Sequence, residues 1–324
     1  MAASTKTPAT IAVLLMAYGS PESTAELEPY LLDIRGGRET PKSLVEEITE
    51  RYELIGGRSP LLDLTRQQAE ALENELNRRF AASPLTFKTY LGMRHWQPRI
   101  KTAVAQIAGD GIKQVICLVM APHSSSMSTG AYYARLDEAI AELGVELDVI
   151  RIQNWHALQG LIDAIAEKAS AARQRFGSEM PYVVFSAHSL PVRILAKGDP
   201  YDAQLQETAS LLAEKLNLHD GRWQFCYQSA GQSAEPWLGP PIEEVIVELA
   251  QAGEKNILSV PIGFVCDHVE VLYDIDIACK QLATSNGARL ERSDSLNASA
   301  TFINALADLV AGHFVTAIRS RGNS

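Results

Sequence analysis

His188 is the side chain whose setting most clearly suggests chemistry. It follows residues 182–187, a run rich in valine and aromatic residues that is typical of a buried strand, and a turn closed by Pro191 comes after it. In an open α/β sheet, ligands bind at the carboxyl ends of the strands. An imidazole placed there can bind a metal ion or transfer a proton near neutral pH. We therefore predict that His188 is a catalytic or metal-binding residue.

An earlier stretch of the chain has the same order of residue types. Residues 11–17 are apolar, and Tyr18 stands where His188 stands in the later stretch, before a turn closed by Pro21. We interpret the two stretches as corresponding points of two similar halves.

Two further apolar runs end in polar side chains that can bind ligands. Residues 115–122 lead into His123, and residues 257–264 lead into the polar segment 266–270. We expect these two strand ends to join the two described above, so that four strand ends meet at one cleft.

Three carboxylates follow the last of these runs at regular spacing. Asp267, Glu270 and Asp274 stand at i, i+3 and i+7, so an α-helix would place them along one face. A cation beside them would remove their mutual repulsion, which makes the stripe a candidate path for a metal ion. Acidic residues in a first helical turn also complement the helix dipole, which explains Asp267 and Glu270 but not Asp274. The residues alone leave both interpretations open. His268, two positions before Glu270, should point elsewhere and anchor the turn.

The candidates for binding an anion are arginines and hydroxyl groups. Four arginines lie close together in the first half, and a guanidinium group matches a carboxylate with two parallel hydrogen bonds. They are Arg35, Arg38, Arg51 and Arg58. The glycine-containing loop 56–60 includes Ser59, and the serine-rich turn 124–128 precedes a helix, where its donors suit a carboxylate. A solvated surface explains any single arginine equally well, and helix capping explains some of the serines.

Strands and helices alternate along the whole chain. The predicted strands are 11–17, 87–91, 114–120, 148–152, 182–187, 223–227 and 256–261. Such alternation predicts an α/β fold of parallel sheets joined by right-handed crossovers. We divide the chain into two domains, 1–155 and 156–324, and expect the last helix, 300–318, to pack back on the first domain.

Composition argues against several classes of protein. The chain of 324 residues is 46% hydrophobic, enough for a full core, and its net charge of −10 argues against nucleic acid and anionic membranes as partners. No GxGxxG follows a strand, and GxxxxGK[ST] and HExxH do not occur, so nucleotide cofactors and zincin chemistry lack support. Four scattered cysteines fit neither a disulfide framework nor a zinc or iron–sulfur motif.

The sequence offers no signal for export or membrane insertion. Residues 1–8 are polar and lack the apolar core of a signal peptide, and no apolar run approaches the ~20 residues of a membrane helix. We therefore predict a cytoplasmic protein.

Four parts of the chain match a known family in order. They are 185–191 (FSAHSLP), 198–201 (GDPY), 228–229 with 236–240 (QS and PWLGP), and 267–274 (DHVEVLYD). Read together, they closely resemble the ferrochelatase family over nearly the whole chain. The resemblance implies two Rossmann-like domains around a porphyrin cleft, and insertion of ferrous iron with release of two protons. It also implies that His188 and Glu270 are the pair nearest the incoming metal, with Tyr18 on the other face of the macrocycle.

The tyrosine at position 18, with residues 51–52 and 56–60, resembles the bacterial branch of the family that uses coproporphyrin. The resemblance implies coproporphyrin III as substrate and an outer metal path at Asp274. The residues assigned to substrate binding are Tyr18, Arg35, Arg51, Tyr52, Ser59, Ser124 and Tyr132. Ala278 departs from relatives that continue the acidic stripe with a glutamate, so we expect the path to end at Asp274. The cysteine pattern of cluster-bearing relatives is also missing, and we predict no iron–sulfur cluster and no tightly bound cofactor.

The residues themselves are consistent with this chemistry. The lone pairs of the pyrrole nitrogens lie in the plane of the macrocycle, so a cleft that bends the ring exposes them to a metal on one side. His188 can then accept the leaving protons, and Glu270 can steer both cation and proton. For partners we expect the porphyrin, ferrous iron and transient contacts with haem-pathway enzymes, no nucleic acid, and a monomer.

Three alternatives stay open. A histidine and a carboxylate do not by themselves select among divalent metals, so another tetrapyrrole chelatase, for cobalt or nickel, fits the same residues. A ferrochelatase acting on protoporphyrin IX is the second alternative. The third is a haem-binding carrier that uses Tyr18 as the axial ligand.

Overall fold

Two parallel four-stranded sheets form the frame of the molecule, in a computed structural model that describes residues 9–219, 221–231, 233 and 235–322. Residues 1–8, the polar segment unlike a signal peptide, lie outside the described residues. The strands are β1 Ala9–Ala17, β2 Leu85–Met93, β3 Gln114–Val119, β4 Asp148–Ile152, β5 Tyr182–His188, β6 Trp223–Gln228, β7 Asn256–Pro261 and β8 Arg289–Arg292.

Helices cover both faces of each sheet. They are α1 Leu27–Ile34, α2 Lys42–Leu54, α3 Leu61–Arg79, α4 Ile100–Gly109, α5 Thr129–Leu143, α6 Gln159–Arg173, α7 Tyr201–Lys215, α8 Ile242–Gln251, α9 Lys280–Ser285 and α10 Ala300–Gly322. A π-helix, Glu270–Cys279, runs directly into α9. The predicted domain boundary near residue 155 lies between β4 and α6.

The two sheets have the same strand order. The first is β2-β1-β3-β4 and the second is β6-β5-β7-β8, and all neighbouring strands are parallel. β1 and β5 therefore hold equivalent positions, which confirms the predicted α/β fold and its two similar halves. The sequence analysis misses β8, an edge strand of four residues in which Leu290 is the one apolar side chain.

A hydrophobic core lies between the two sheets and belongs to both. Odd-numbered residues of β1 and β5 enter this shared core. Even-numbered residues of β1 pack in a second cluster with α4 and α5, and Tyr182 and Val184 of β5 pack in a third with α8 and α9. This alternation follows from the period of two along a strand, and the continuous apolar runs of the sequence reflect sheets that are covered on both faces.

The helix α10 lies in the shared core against α3, α6 and β4. The Phe302 ring stacks on Trp155 at 6.0 Å between ring centres, and the Phe314 ring packs edge-on against Phe87 at 5.6 Å. Part of this helix, Ala300–Arg319, is long and apolar enough to cross a membrane by length and composition. The expectation that no run approaches that length is therefore wrong for this helix, where polar residues interrupt the apolar run but leave its mean hydropathy at 1.4. About half of the stretch, 44%, is buried inside the protein, as in the core helix of a globular fold.

The close contact between α6 and α10 generates a stability prediction. A Cβ atom added at Gly160 would lie 2.6 Å from the Cβ of Ala305, whereas one added at Gly312 on the same α10 would meet nothing within 4 Å. We expect Gly160→Ala to lower the free energy of unfolding by about 1–3 kcal/mol, since the two helices must separate. The matched change Gly312→Ala should raise it by about 0.5–1 kcal/mol through helix propensity. Urea denaturation measures both, and a Gly160→Ala protein as stable as Gly312→Ala would contradict the close packing.

Candidate active site

His188 is the last residue of β5, and its neighbours fix its backbone. The Tyr201 hydroxyl donates to the His188 carbonyl at 2.9 Å. The next residue, Ser189, donates its N–H to the Gln228 carbonyl at 2.8 Å and its hydroxyl to the Leu238 carbonyl at 2.7 Å. The His188 ring is held as well, because its Nδ1 lies within hydrogen-bond distance of the Ser189 carbonyl. A carbonyl only accepts, so Nδ1 carries a proton and Nε2 is the nitrogen left for chemistry.

Glu270, the first residue of the π-helix, lies between two histidines. Its Oε1 is 3.5 Å from Nε2 of His188, and its Oε2 is 3.4 Å from Nε2 of His268. Nδ1 of His268 lies 3.0 Å from the Cys266 carbonyl, so the two rings are oriented in the same way, each with Nε2 facing the carboxylate. The expectation that His268 anchors the turn is confirmed, but the expectation that it points away from Glu270 is wrong.

The electrostatics of this group favour a charged pair. Burial alone would raise the pKa of the Glu270 carboxyl, but the charge of His188 and hydrogen bonds from His188 and His268 hold it well below its usual range. Burial likewise opposes the protonated ring of His188, yet Glu270 raises the pKa of His188 to about 9. At neutral pH the site therefore holds an imidazolium beside a carboxylate.

The acidic stripe differs from the one predicted. Asp267 lies before the π-helix and turns away to Arg292, 3.2 Å from its Nη1, and accepts hydrogen bonds from Ser295 and Asn297. The prediction that Asp267 shares a helical face with Glu270 is therefore wrong, because an arginine from a distant strand satisfies it.

Asp274 stands one turn beyond Glu270 on the π-helix. Its Oδ2 accepts a hydrogen bond from Ser229, and its Oδ1 lies 3.6 Å from Nη1 of Arg51. Burial, with the charge of Glu270, raises the pKa of Asp274 to about 6, although Ser229 and Arg51 act against this shift. Ser229 has a φ of 58°, a left-handed conformation that is uncommon for a residue other than glycine and is found at functional sites.

Tyr18 follows the end of β1 and its side chain is 39% exposed. Its ring lies 4.6 Å from the ring of His95, whose Nδ1 is 2.9 Å from Asp33. Desolvation, followed by the charge of Glu270, raises the pKa of Tyr18 to about 12 against the effect of Arg94. The phenol is therefore neutral at physiological pH.

Two more phenols of the first half lie within electrostatic range of Glu270. Tyr52 and Tyr132 are buried, and burial together with the charge of Glu270 raises the pKa of each. Tyr52 packs in a small cluster that includes Val269, the neighbour of Glu270. The Arg94 guanidinium carbon lies 5.6 Å from the centre of the Tyr132 ring. The charge of Glu270 thus acts on three of the predicted site tyrosines as well as on His188.

The four predicted arginines differ in whether a buried N–H group lacks a hydrogen-bond partner. Arg35 and Arg51 each have a buried Nε without a hydrogen-bond partner among the described residues. Arg58 is more exposed and pairs with Asp63 at 3.0 Å, and Arg38 donates to the Arg35 carbonyl at 3.1 Å. Buried N–H groups are almost always paired, so the two unpartnered ones indicate where an acceptor would bind.

The serine-rich turn does not offer free donors. The Ser124 N–H donates to Gln204 at 2.6 Å and its hydroxyl donates to the Gln153 carbonyl at 2.9 Å. Ser126 donates both its N–H and its hydroxyl to Asp199. The turn therefore ties the first half to the start of α7. Ser59, in contrast, is buried and accepts a long hydrogen bond of 3.3 Å from Leu61.

His123 takes part in the same contact between the halves. It is buried, its Nε2 lies 2.9 Å from the Thr208 hydroxyl, and burial together with His156 lowers its pKa to about 3. The expectation that this strand end contributes a ligand to the cleft is wrong, because α7 covers it.

Gln228 is a site residue to which the sequence analysis assigns no role. It is buried at the end of β6, where its Oε1 accepts from Ser186 of β5 at 2.8 Å and its Nε2 donates to the Glu270 carbonyl at 3.3 Å. It thus links the strand that ends in His188 to the helix that begins with Glu270. A glutamine at the end of a strand rich in aromatic residues is the signal that could have found it.

The four cysteines are all free and buried. In the described part of the chain no three or more histidine, cysteine, aspartate or glutamate side chains form a group that could hold a metal ion.

The charged pair generates a prediction for titration. We expect Glu270→Gln to lower the pKa of His188 from about 9 to below 6.5, because burial still opposes the charged ring and the carboxylate no longer supports it. The pH dependence of the ring signals in NMR spectra measures this value. Asp274→Asn is the control and should shift the pKa of His188 much less, since its charge contributes least. A pKa above 8 in the Glu270→Gln protein would contradict the pairing.

Comparison with known proteins adds sequence evidence. A family model described as Ferrochelatase matches residues 10–314. A protein named Ferrochelatase from Deinococcus radiodurans is 44% identical over 303 residues, which cover 93% of this chain and 95% of that protein. A protein named Coproporphyrin III ferrochelatase from Geobacillus sp. (strain WCH70) is 41% identical over 302 residues, which cover 92% and 96%.

Solved structures share the fold at low identity. SirB from Bacillus subtilis, solved with Fe3+, matches with a TM-score of 0.57 at 12% identity, over 94% of this chain and 95% of SirB. DR2241 from Deinococcus radiodurans, a multi-domain protein with structural similarity to chelatases, matches with a TM-score of 0.52 at 14% identity, over 94% of this chain and 55% of DR2241. The likeness concerns the fold alone.

Proposed function

The chain belongs to the ferrochelatase family of metal-inserting enzymes, and from this premise we propose that it inserts ferrous iron into coproporphyrin III. The products are the iron complex of coproporphyrin III and two protons. The observation that carries the choice of substrate is the pair of buried guanidinium N–H groups, on Arg35 and Arg51, that have no acceptor among the described residues. Iron is a substrate in this proposal, and the protein uses no tightly bound cofactor.

Charge supports a substrate with additional carboxylates. Coproporphyrin III has four propionates, two more than protoporphyrin IX, and a protein of net charge −10 must meet them with local donors. Arg35 and Arg51 provide guanidinium groups, and the phenols of Tyr52 and Tyr132 are neutral donors. Ser59 is a further donor, whereas Ser124 is a weaker candidate because both of its donors are already bonded.

The macrocycle lies between Tyr18 and His188 in this proposal. His188 ends β5 and Tyr18 follows β1, the equivalent strand of the other sheet, and the charge of Glu270 influences the pKa of both. A planar ring placed there has His188 and Glu270 on one face and Tyr18 on the other. Tyr18 stays neutral while ferrous iron enters, because its pKa is about 12.

The raised pKa of His188 sets the order of proton transfers. A ring that is already protonated cannot accept a pyrrole proton, so His188 must first become neutral. Ferrous iron arriving at Glu270 achieves this, since a cation near the ring disfavours the imidazolium and neutralises the carboxylate that supports it, and the Nε2 proton passes to water at the His188 side chain, which is 29% exposed. Nε2 then takes a proton from a pyrrole nitrogen while the bond from Nδ1 to Ser189 keeps the ring in place. His188 passes this proton to water in the same way and then accepts the second pyrrole proton, so that two protons leave the macrocycle through Nε2.

The proposal predicts a difference between two porphyrins. We expect kcat/KM for iron insertion to be at least about tenfold higher with coproporphyrin III than with protoporphyrin IX. The reason is that removing one partner of a desolvated arginine–carboxylate pair costs about 2–5 kcal/mol of binding free energy. Arg35→Gln should remove most of this difference, whereas Arg58→Gln, whose arginine pairs with Asp63, should keep it. Anaerobic assays with both porphyrins measure the rates. Equal rates in the wild type would leave a protoporphyrin IX ferrochelatase as the function.

A second prediction concerns the two residues nearest the metal. We expect His188→Ala and Glu270→Gln each to lower kcat at least about 100-fold, the range typical of a lost general base, while porphyrin binding changes little. Fluorescence titration with the porphyrin measures binding, and the anaerobic assay measures turnover. Near-normal turnover in either variant would show that the residue has been assigned the wrong role.

A further inference from the structure

Arg51 crosses from the first half of the molecule to the second. It lies near the end of α2, and its Nη1 is 3.6 Å from Oδ1 of Asp274 on the π-helix. Its guanidinium carbon is also 4.9 Å from the centre of the neighbouring Tyr273 ring. On α2 itself, its Nη2 is 2.6 Å from Glu47. One side chain therefore contacts the helix that carries the predicted metal path.

The contacts of Arg51 leave its buried Nε without an acceptor in the described part of the chain. A guanidinium group presents five N–H bonds in a fixed plane, and the contacts to Glu47 and Asp274 use Nη2 and Nη1. Nε is buried and has no acceptor among the described residues. A carboxylate binds a guanidinium group best through two parallel bonds, so a ligand that engages Nε would also take a terminal nitrogen. Such a ligand competes with the residues that Arg51 holds now.

Asp274 has both of its oxygens occupied in the same arrangement. Ser229 donates to Oδ2 and Arg51 faces Oδ1. The Asp274 side chain is 14% exposed and the Arg51 side chain is 34% exposed, so water screens this pair in part. A divalent cation moving towards Glu270 along this helix would meet the positive charge of Arg51 before it could use the carboxylate of Asp274.

We propose that Arg51 couples the two substrates: in the empty cleft it pairs with Asp274 and keeps iron from this carboxylate, and a porphyrin carboxylate that binds Arg51 frees Asp274 for iron. The proposal rests on the proposed function in one respect, namely that a carboxylated tetrapyrrole occupies the cleft beside Arg51. It makes Arg51 a positioning residue for the metal, in addition to its predicted contact with the porphyrin.

Coupling of this kind is reciprocal. If the bound macrocycle strengthens the binding of a divalent cation, the cation strengthens the binding of the macrocycle by the same factor. The Arg51 side chain is 34% exposed, so solvent weakens the pair, and we expect a factor of about five to ten, near the lower end of typical coupling.

The test uses Co2+ as the probe and isothermal titration calorimetry at pH 7 and constant ionic strength. Preformed zinc coproporphyrin III fills the cleft without undergoing insertion. For the wild type we expect the Kd for Co2+ to fall about five- to tenfold when this macrocycle is bound. Arg51→Met should bind Co2+ about five- to tenfold more tightly than the wild type without any macrocycle, and the macrocycle should add no further tightening.

Three further variants make the result specific. Arg51→Lys keeps the charge beside Asp274 and should bind Co2+ as weakly as the wild type, which also guards against a misfolded Arg51→Met protein. Asp274→Asn should abolish the response to the macrocycle. Arg58→Met removes a nearby arginine that pairs with Asp63 and should behave as the wild type.

Two outcomes would contradict the coupling. One is a Co2+ affinity of Arg51→Met within twofold of the wild type, and the other is Co2+ binding by Asp274→Asn that the macrocycle strengthens as much as in the wild type. The measurement without macrocycle is independent of porphyrin preference. If zinc protoporphyrin IX tightens Co2+ binding as strongly as zinc coproporphyrin III, the coupling is supported and the proposed substrate preference fails.

Discussion

The charge of Glu270 is the constraint on which the site depends. The Glu270 side chain is 36% exposed, so its carboxylate is only partly hydrated and gains from pairing, and here two histidine Nε2 atoms lie at 3.5 and 3.4 Å from its oxygens. Each ring is oriented by a backbone carbonyl at its Nδ1, and Gln228 holds the Glu270 backbone to the neighbouring strands. Because the positive and negative charges are already paired, an incoming dication must replace an existing interaction. The chemistry of the site is therefore an exchange of partners around one carboxylate.

How much the sequence could predict depended on how local each interaction is. The position of His188 at a strand end is predictable, because apolar runs and the turn after them are local signals. The positions of Asp267 and His123 are not, since their partners, Arg292 and α7, lie elsewhere in the chain. The orientation of His268 depends on the turn before a π-helix, which α-helical spacing does not describe. The pattern of apolar and polar residues thus predicts the strands and helices well, but it does not predict which groups each polar side chain contacts.

The two halves are held together unevenly around the cleft. On one side, the shared core and the hydrogen bonds from residues 124–126 to α7 join the halves closely. On the other side, α2 buries a single residue, Tyr52, in a small cluster with α1 and Val269. Local stability follows the amount of buried apolar contact, so α2 should move more readily than the helices of the shared core when a macrocycle enters. Arg51, which lies on α2, is attached to this less firmly held side.

The position of α10 also has a consequence for how the protein is made. This helix fills the core between the sheets and packs against β4 and α3, although more than 200 residues separate it from α3 along the sequence. During synthesis on the ribosome, the first sheet emerges long before the helix that covers it. The apolar face of this sheet stays uncovered until α10 has been synthesised. Folding intermediates with exposed apolar surface are prone to aggregate or to require a chaperone. Contacts this distant also slow folding, so the nascent chain should acquire its final core only at a late stage of translation.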